Sequence, residues 1–146
     1  MGILMHKFIY KLLDEPKNGV IGKFLSDNSE YFNKINLQMK EVGIDFFIDG
    51  GNFNGYIAVT PEHPFYGKDY DEVDLMLHKK GFYVHGGLTL ASDPSFCPHL
   101  PTEHQKFWIF GFDTRHADDT AEYWTEKRTW EEADKLMNAA IIYGEI

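Results

Sequence analysis

The stretch Lys106-Phe-Trp-Ile-Phe-Gly-Phe112 is apolar at odd and even positions alike. A strand with one wet face would alternate, so this pattern predicts a central strand covered on both faces. It runs straight into Asp113-Thr-Arg-His-Ala-Asp-Asp119, a polar loop. Upstream, Tyr56-Ile-Ala-Val59 reads as a short buried strand after an Asn54-Gly55 turn. Residues 82–90 read as a strand interrupted by Gly86 and Gly87, a mark of a bulge or a close backbone approach. Ile44, Phe46 and Ile48 alternate ahead of an Asp49-Gly-Gly-Asn52 turn. Residues 69–78 fit a strand through Val73, Leu75 and Leu77, or a short helix opened by Asp69 and Glu72. Residues 92–105 hold three prolines and no apolar period, which predicts a loop.

The two ends read as helical. Thr129-Trp-Glu-Glu132 has the form of a capping box, and Trp130, Ala133, Met137, Ala140 and Ile141 line one helix face. Ser26-Asp-Asn-Ser29 predicts a helix start, with Tyr31, Phe32, Ile35, Met39 and Val42 as its stripe and Gly43 as its stop. Residues 1–25 are weakly amphipathic, with Ile3, Leu4, Phe8, Leu12 and Leu13 as candidate buried positions and a turn at Pro16-Lys-Asn-Gly19. The expectation is one α+β domain over 1–146. A helical N-terminal arm covers 1–43, and a core over 44–146 holds a small, mostly antiparallel sheet and a C-terminal helix.

Composition narrows the function classes. The 146 residues include 23 acidic ones against 14 Lys and Arg, a net charge of −9. That argues against general nucleic-acid binding, which wants a basic face. At 43% hydrophobic and 16% aromatic, the chain can bury a core. Cys97 is the single cysteine, so neither an intrachain disulfide nor a Cys-rich zinc site can form. Its setting among prolines, without a basic neighbour, argues against a nucleophile. No apolar run approaches the ~20 residues of a membrane helix. Met1 to His6 lacks the order of a signal peptide. The expected location is the cytoplasm, with no membrane partner.

Two stretches carry the candidate chemistry. Polar groups at a buried strand end need partners, and Asp113, Arg115, His116, Asp118 and Asp119 follow the central strand directly. Val84-His-Gly-Gly-Leu-Thr89 sets an imidazole beside two residues without side chains. As a ligand site, His85, Gly86, Gly87, Thr89, Asp113, Arg115, His116 and Asp118 would bind a small polar molecule, with backbone N–H groups from the glycines. As a metal site without any other cofactor, His85, Asp113, His116 and Asp118 (or Asp119) would hold a divalent ion such as zinc. Both stretches also fit a purely structural role: a self-capped loop, a packed histidine and a glycine bulge. His63, between Pro61 and Pro64 and near Lys68, reads as a solvated turn, and His78, His99 and His104 as surface residues. No P-loop or dinucleotide fingerprint is present.

Gly55-Tyr-Ile-Ala-Val59, His63-Pro-Phe-Tyr-Gly67, Val84-His-Gly-Gly-Leu-Thr89 and Trp108-Ile-Phe-Gly-Phe-Asp113, with His116 and Asp118, occur in that order. The set resembles small phage and prophage proteins marked by an "HGGLTY" segment and a later "FGFDCAHAGD" segment. The resemblance covers roughly 55–142. Thr114 and Arg115 stand where those proteins often have Cys and Ala, Asp119 departs from the usual continuation after Asp118, and 74–82 looks inserted. The resemblance implies phage origin, hence a host bacterial cytoplasm, more than a chemistry. Three functions are compatible with it. One is an accessory protein that sequesters a small polar ligand such as a nucleotide-type immune signal. A second is a metal-dependent hydrolase of a phosphoester-like bond. The third is an inhibitor whose arm at 1–43 binds a host protein. Homo-oligomer formation is open in each.

Overall fold

The computed structural model describes residues 7–44 and 49–145. The doubly apolar stretch forms β5 (Trp108–Phe112), an interior strand whose alternate residues enter two separate cores. Phe110 and Phe112 face one layer and Ile109 the other. The full sheet also contains β1 (Lys7–Lys17), β2 (Val20–Asp27), β3 (Phe53–Val59) and β4 (Leu90–Ser92). All neighbours pair antiparallel in the order β1-β2-β3-β5-β4. Three helices complete the α+β fold: α1 (Ser29–Glu41), α2 (Tyr70–Lys79) and α3 (Glu126–Tyr143).

One face of the sheet packs under α3. Trp130, Ala133, Leu136, Met137, Ala140 and Tyr143 recur every three or four residues and meet Leu25, Ile57, Val59, Phe110 and Phe112. Val73 and Leu77 of α2 and Phe65 close the same core. On the opposite face, Phe24 and Tyr56 stack at 5.0 Å beside Ile21, Ala58 and Ile109. The proline-rich loop covers this face with Cys97, Leu100 and Phe107. Fully burying a Phe such as Phe24 or Phe110 contributes about 1.5–3 kcal/mol, so both layers stabilise the sheet. Burial also pushes the Cys97 thiol up, which suits a core residue better than a nucleophile.

Several expectations are corrected. The N-terminal arm is helical only at α1; residues 7–27 form the β1–β2 hairpin and belong to the sheet, so a boundary at 43 divides one structural unit. The cause is the Asn18-Gly19 turn. Both residues have positive φ (50° and 82°), as a two-residue hairpin turn requires, and Lys17 pairs with Val20 across it. Phe8, Tyr10 and Leu12 then alternate onto one face. Most of the segment over 82–90 is irregular, with only Leu90 joining β4, because Gly86 and Gly87 take left-handed conformations that leave the strand path.

Asn54 and Gly55 sit inside β3. Residues 70–79 are helix. Helix α3 starts four residues before the expected box: the Thr125 hydroxyl accepts from the Arg128 N–H, and the Thr129 hydroxyl donates to the Thr125 carbonyl. His63 is buried at 3% exposure, with Nε2 2.7 Å from the Ala140 carbonyl and Nδ1 accepting from the Phe65 N–H. The alternation at 44–48 falls largely on residues outside those described. Among the described residues, no helix is long and apolar enough to cross a membrane.

Candidate functional site

The site grows from the exit of β5. After Phe112 the chain turns through 113–119, and the Asp119 N–H returns to the His116 carbonyl at 2.9 Å. That turn swings Asp119 back beneath the His116 ring. The loop preceding β4 lies alongside, tied by Thr89 N–H to the Gly111 carbonyl and Leu88 N–H to Asp74 Oδ1. The approach to α3 supplies a third side through Trp124.

Asp119 is the centre. It is 8% exposed, and every donor around it converges on its carboxylate. His85 Nε2 lies 2.9 and 3.0 Å from its two oxygens. His116 gives its backbone N–H at 2.8 Å and its Nδ1 at 2.7 Å to Oδ2. The Trp124 indole N–H reaches Oδ1 at 3.2 Å. Burial alone would raise this acid, but the His85 and His116 hydrogen bonds outweigh it and hold Asp119 down at about 2. The two imidazoles meet edge-on at 4.9 Å, and His85 lies 4.3 Å from the Trp124 ring. With Nε2 of His85 and Nδ1 of His116 turned to Asp119, each ring keeps one further nitrogen for another partner. For His116 that nitrogen is 3.5 Å from Asp113 Oδ1.

The other sequence candidates divide. Gly86 packs against His116: a Cβ there would lie 2.2 Å from ring atoms Cε1 and Nε2. The Gly87 N–H is committed to the Val84 carbonyl. Thr89 and Asp118 are exposed and stand outside the cluster. Arg115 turns away from it. Its Nε donates to the Gly51 carbonyl at 3.1 Å, and its guanidinium lies 3.3 Å from the centre of the Phe32 ring. Burial lowers the Arg115 pKa, with Asp49 opposing. Thus His85, His116 and Asp113 come together around Asp119, the alternative given to Asp118.

Three contributors lay outside the sequence reading of the site. Trp124 is one, through its indole N–H on Asp119. Glu132 accepts the His85 backbone N–H at 2.8 Å. Lys135 sits beside Glu132 at 3.2 Å. Together with Tyr83, His85 and Tyr123 they line an open cleft of about 320 Å³. An apolar groove of about 370 Å³ continues from it past Phe82, Leu136 and Ile142, sharing Tyr83, Val84 and Lys135. Asp119 is the alternative to Asp118 in the metal reading, and the spacing favours it: counted from His116, the last Asp of the quoted "FGFDCAHAGD" segment falls on Asp119 and its Gly on Asp118, so the departure lies at Asp118.

No known family model, curated protein or solved structure matches the chain.

Proposed function

We propose that the protein is a ligand-binding accessory protein of phage type, and that the cleft beside His85 takes a small, polar, ring-bearing molecule. The observation that carries this reading is the fixing of His85 by Asp119 at the wall of an aromatic cleft. A ring that meets Trp124 and His116 and is held at one nitrogen presents its other nitrogen in a set orientation, which is what ligand recognition needs. Tyr83, Tyr123 and Trp124 offer stacking surface, and Lys135 offers a cation at the rim. One cation against a net charge of −9 favours a ligand with a single anionic group over a polyphosphate. A nucleotide-type signal, sequestered rather than turned over, fits that description.

The test is a panel of nucleoside monophosphates and cyclic nucleotides, read by tryptophan fluorescence and by mass spectrometry of molecules released from the heated protein. Binding that weakens in Tyr83→Ala and Lys135→Ala supports the reading. Tyr83 is 62% exposed, so that change spares the core. A panel with no retained ligand and no fluorescence change removes it.

A further inference from the structure

We propose that His85, His116 and Asp119 form a binding site for a divalent transition-metal ion of the zinc class. Its protein donors are Nε2 of His85, Nδ1 of His116 and the Asp119 carboxylate. One donor atom from each lies within 4.8 Å of the others. This stands apart from ligand capture in the cleft and does not depend on it.

Three observations carry the inference. The first is fit. The ring nitrogens lie 2.9 and 2.7 Å from the nearest carboxylate oxygens. Donors around a tetrahedral zinc ion, with bonds of ~2.0–2.1 Å, stand about 3.3 Å apart. The two nitrogen–oxygen pairs therefore need to spread by about half an ångström. Both imidazoles are partly exposed, 29% for His85 and 34% for His116, so small ring shifts suffice.

The second is support around the donors. The Asp119 carboxylate is oriented by the Trp124 indole N–H and the His116 backbone N–H, neither of which is an imidazole proton. It keeps its place when a cation replaces the imidazole N–H groups that face it. A neutral histidine bound to metal carries its proton on the outer nitrogen and gives it to a carboxylate, a backbone carbonyl or water. For His116 the outer nitrogen is Nε2, and Asp113 Oδ1 is 3.5 Å away. Asp113 is itself fixed by the Arg115 N–H at 3.1 Å. On loading, the metal takes the lone pair of each nitrogen that faces Asp119, and the proton held there moves to the outer nitrogen or leaves to solvent.

The third is donor chemistry. Two imidazoles and one carboxylate suit zinc, cobalt or iron(II), whereas calcium and magnesium want oxygen-rich sites. Three protein donors leave a coordination position for solvent or a ligand.

Metal-free protein is titrated with cobalt(II) at neutral pH, read by visible absorption, and the cobalt is then displaced with zinc. The expected result is one cobalt per chain, displaced by one zinc. His85→Gln and His116→Gln should abolish the absorption band. Asp113→Asn should keep the stoichiometry but weaken zinc affinity by about 10–100-fold, as loss of a positioning carboxylate does. Nitrogen NMR of the intact chain gives a readout free of folding effects: zinc should shift Nε2 of His85 and Nδ1 of His116. A cobalt band that survives both histidine substitutions, unchanged imidazole nitrogens, or no binding at millimolar cobalt would each overturn the site.

Discussion

Replacing Asp119 by Asn changes one oxygen to an NH2 group and removes the charge. If the remaining oxygen stays with the His116 N–H groups, the new NH2 faces His85 Nε2 and the Trp124 indole N–H. His85 can shift its proton to Nδ1 and accept. The indole is a donor only. Its N–H, on a side chain 7% exposed, loses its acceptor. A buried donor without an acceptor costs about 1–3 kcal/mol. A second route gives a similar size. Asp119 moves from 3.8 to about 2 on folding. At about 1.36 kcal/mol per pKa unit, that is about 2 kcal/mol of stability.

The pH dependence follows from the direction of the shift. Below about pH 5 the unfolded chain binds a proton at this residue more readily than the folded one, so the contribution falls as pH falls. About half of it is left at about pH 3, and nearly all is gone below about pH 2. A protonated Asp119 also presents a donor, as Asn does, so the two proteins converge. Urea unfolding read by tryptophan fluorescence measures this. With a slope of about 1–3 kcal/mol per molar urea, Asp119→Asn should lower the midpoint by about 1–2 M at neutral pH. The gap should narrow by about half at about pH 3. A neutral-pH midpoint within about 0.3 M of wild type would refute the reasoning, as would a gap equally wide at both pH values.

Gly86→Ala places a Cβ 2.2 Å from the His116 ring at a φ of 68°. It should cost more than the ~1–2 kcal/mol of a left-handed L residue and displace His116, seen as a shifted imidazole resonance. Gly67→Ala, at φ 77° with no atom within 4 Å of the new Cβ, should cost the backbone part alone. His63→Leu leaves the Phe65 N–H unpaired, while the Ala140 carbonyl keeps the Gly144 N–H at 3.0 Å, and should cost about 1–3 kcal/mol in thermal or urea unfolding. Burial lowers the His63 pKa. Wild type should therefore lose stability from this residue as pH falls below about 6.5, a loss absent in the Leu variant.

How far the sequence reached follows from which signals were unambiguous. The stretch over 106–112 is apolar on both alternations, and only an interior, doubly covered strand explains that. The C-terminal helix showed an apolar face at helical spacing that no strand period fits. Residues 7–17 were different. Phe8 and Leu12 satisfy a helical spacing and a strand alternation at once, and the polar residues from Asp14 onward blur both. The decisive datum was the Asn18-Gly19 pair, which favours a two-residue hairpin. At the site, His85 and His116 stood out because each sits beside a break in an apolar run. Asp113, Asp118 and Asp119 are chemically alike; the His-to-Asp spacing favours Asp119, and the turn geometry lands that carboxylate under the ring. Trp124, Glu132 and Lys135 reach the site from the approach to α3 and its first turns, a tertiary placement that local pattern does not encode.

Helix α1 places none of its 13 residues in the core. A helix of that length is marginal alone in water. Its attachments include the Asn28 N–H on the Asn52 carbonyl and the Phe32 ring beneath the Arg115 guanidinium. Arg115 adjoins His116 in the chain. In terms of local opening, α1 is a low-stability unit hinged on the loop that carries His116. Whatever orders α1 also keeps a ring under Arg115 and narrows the motions open to the next residue. Anything that melts α1 releases that restraint, so the order of this outlying helix and the freedom of the loop that carries His116 meet at the Arg115 side chain.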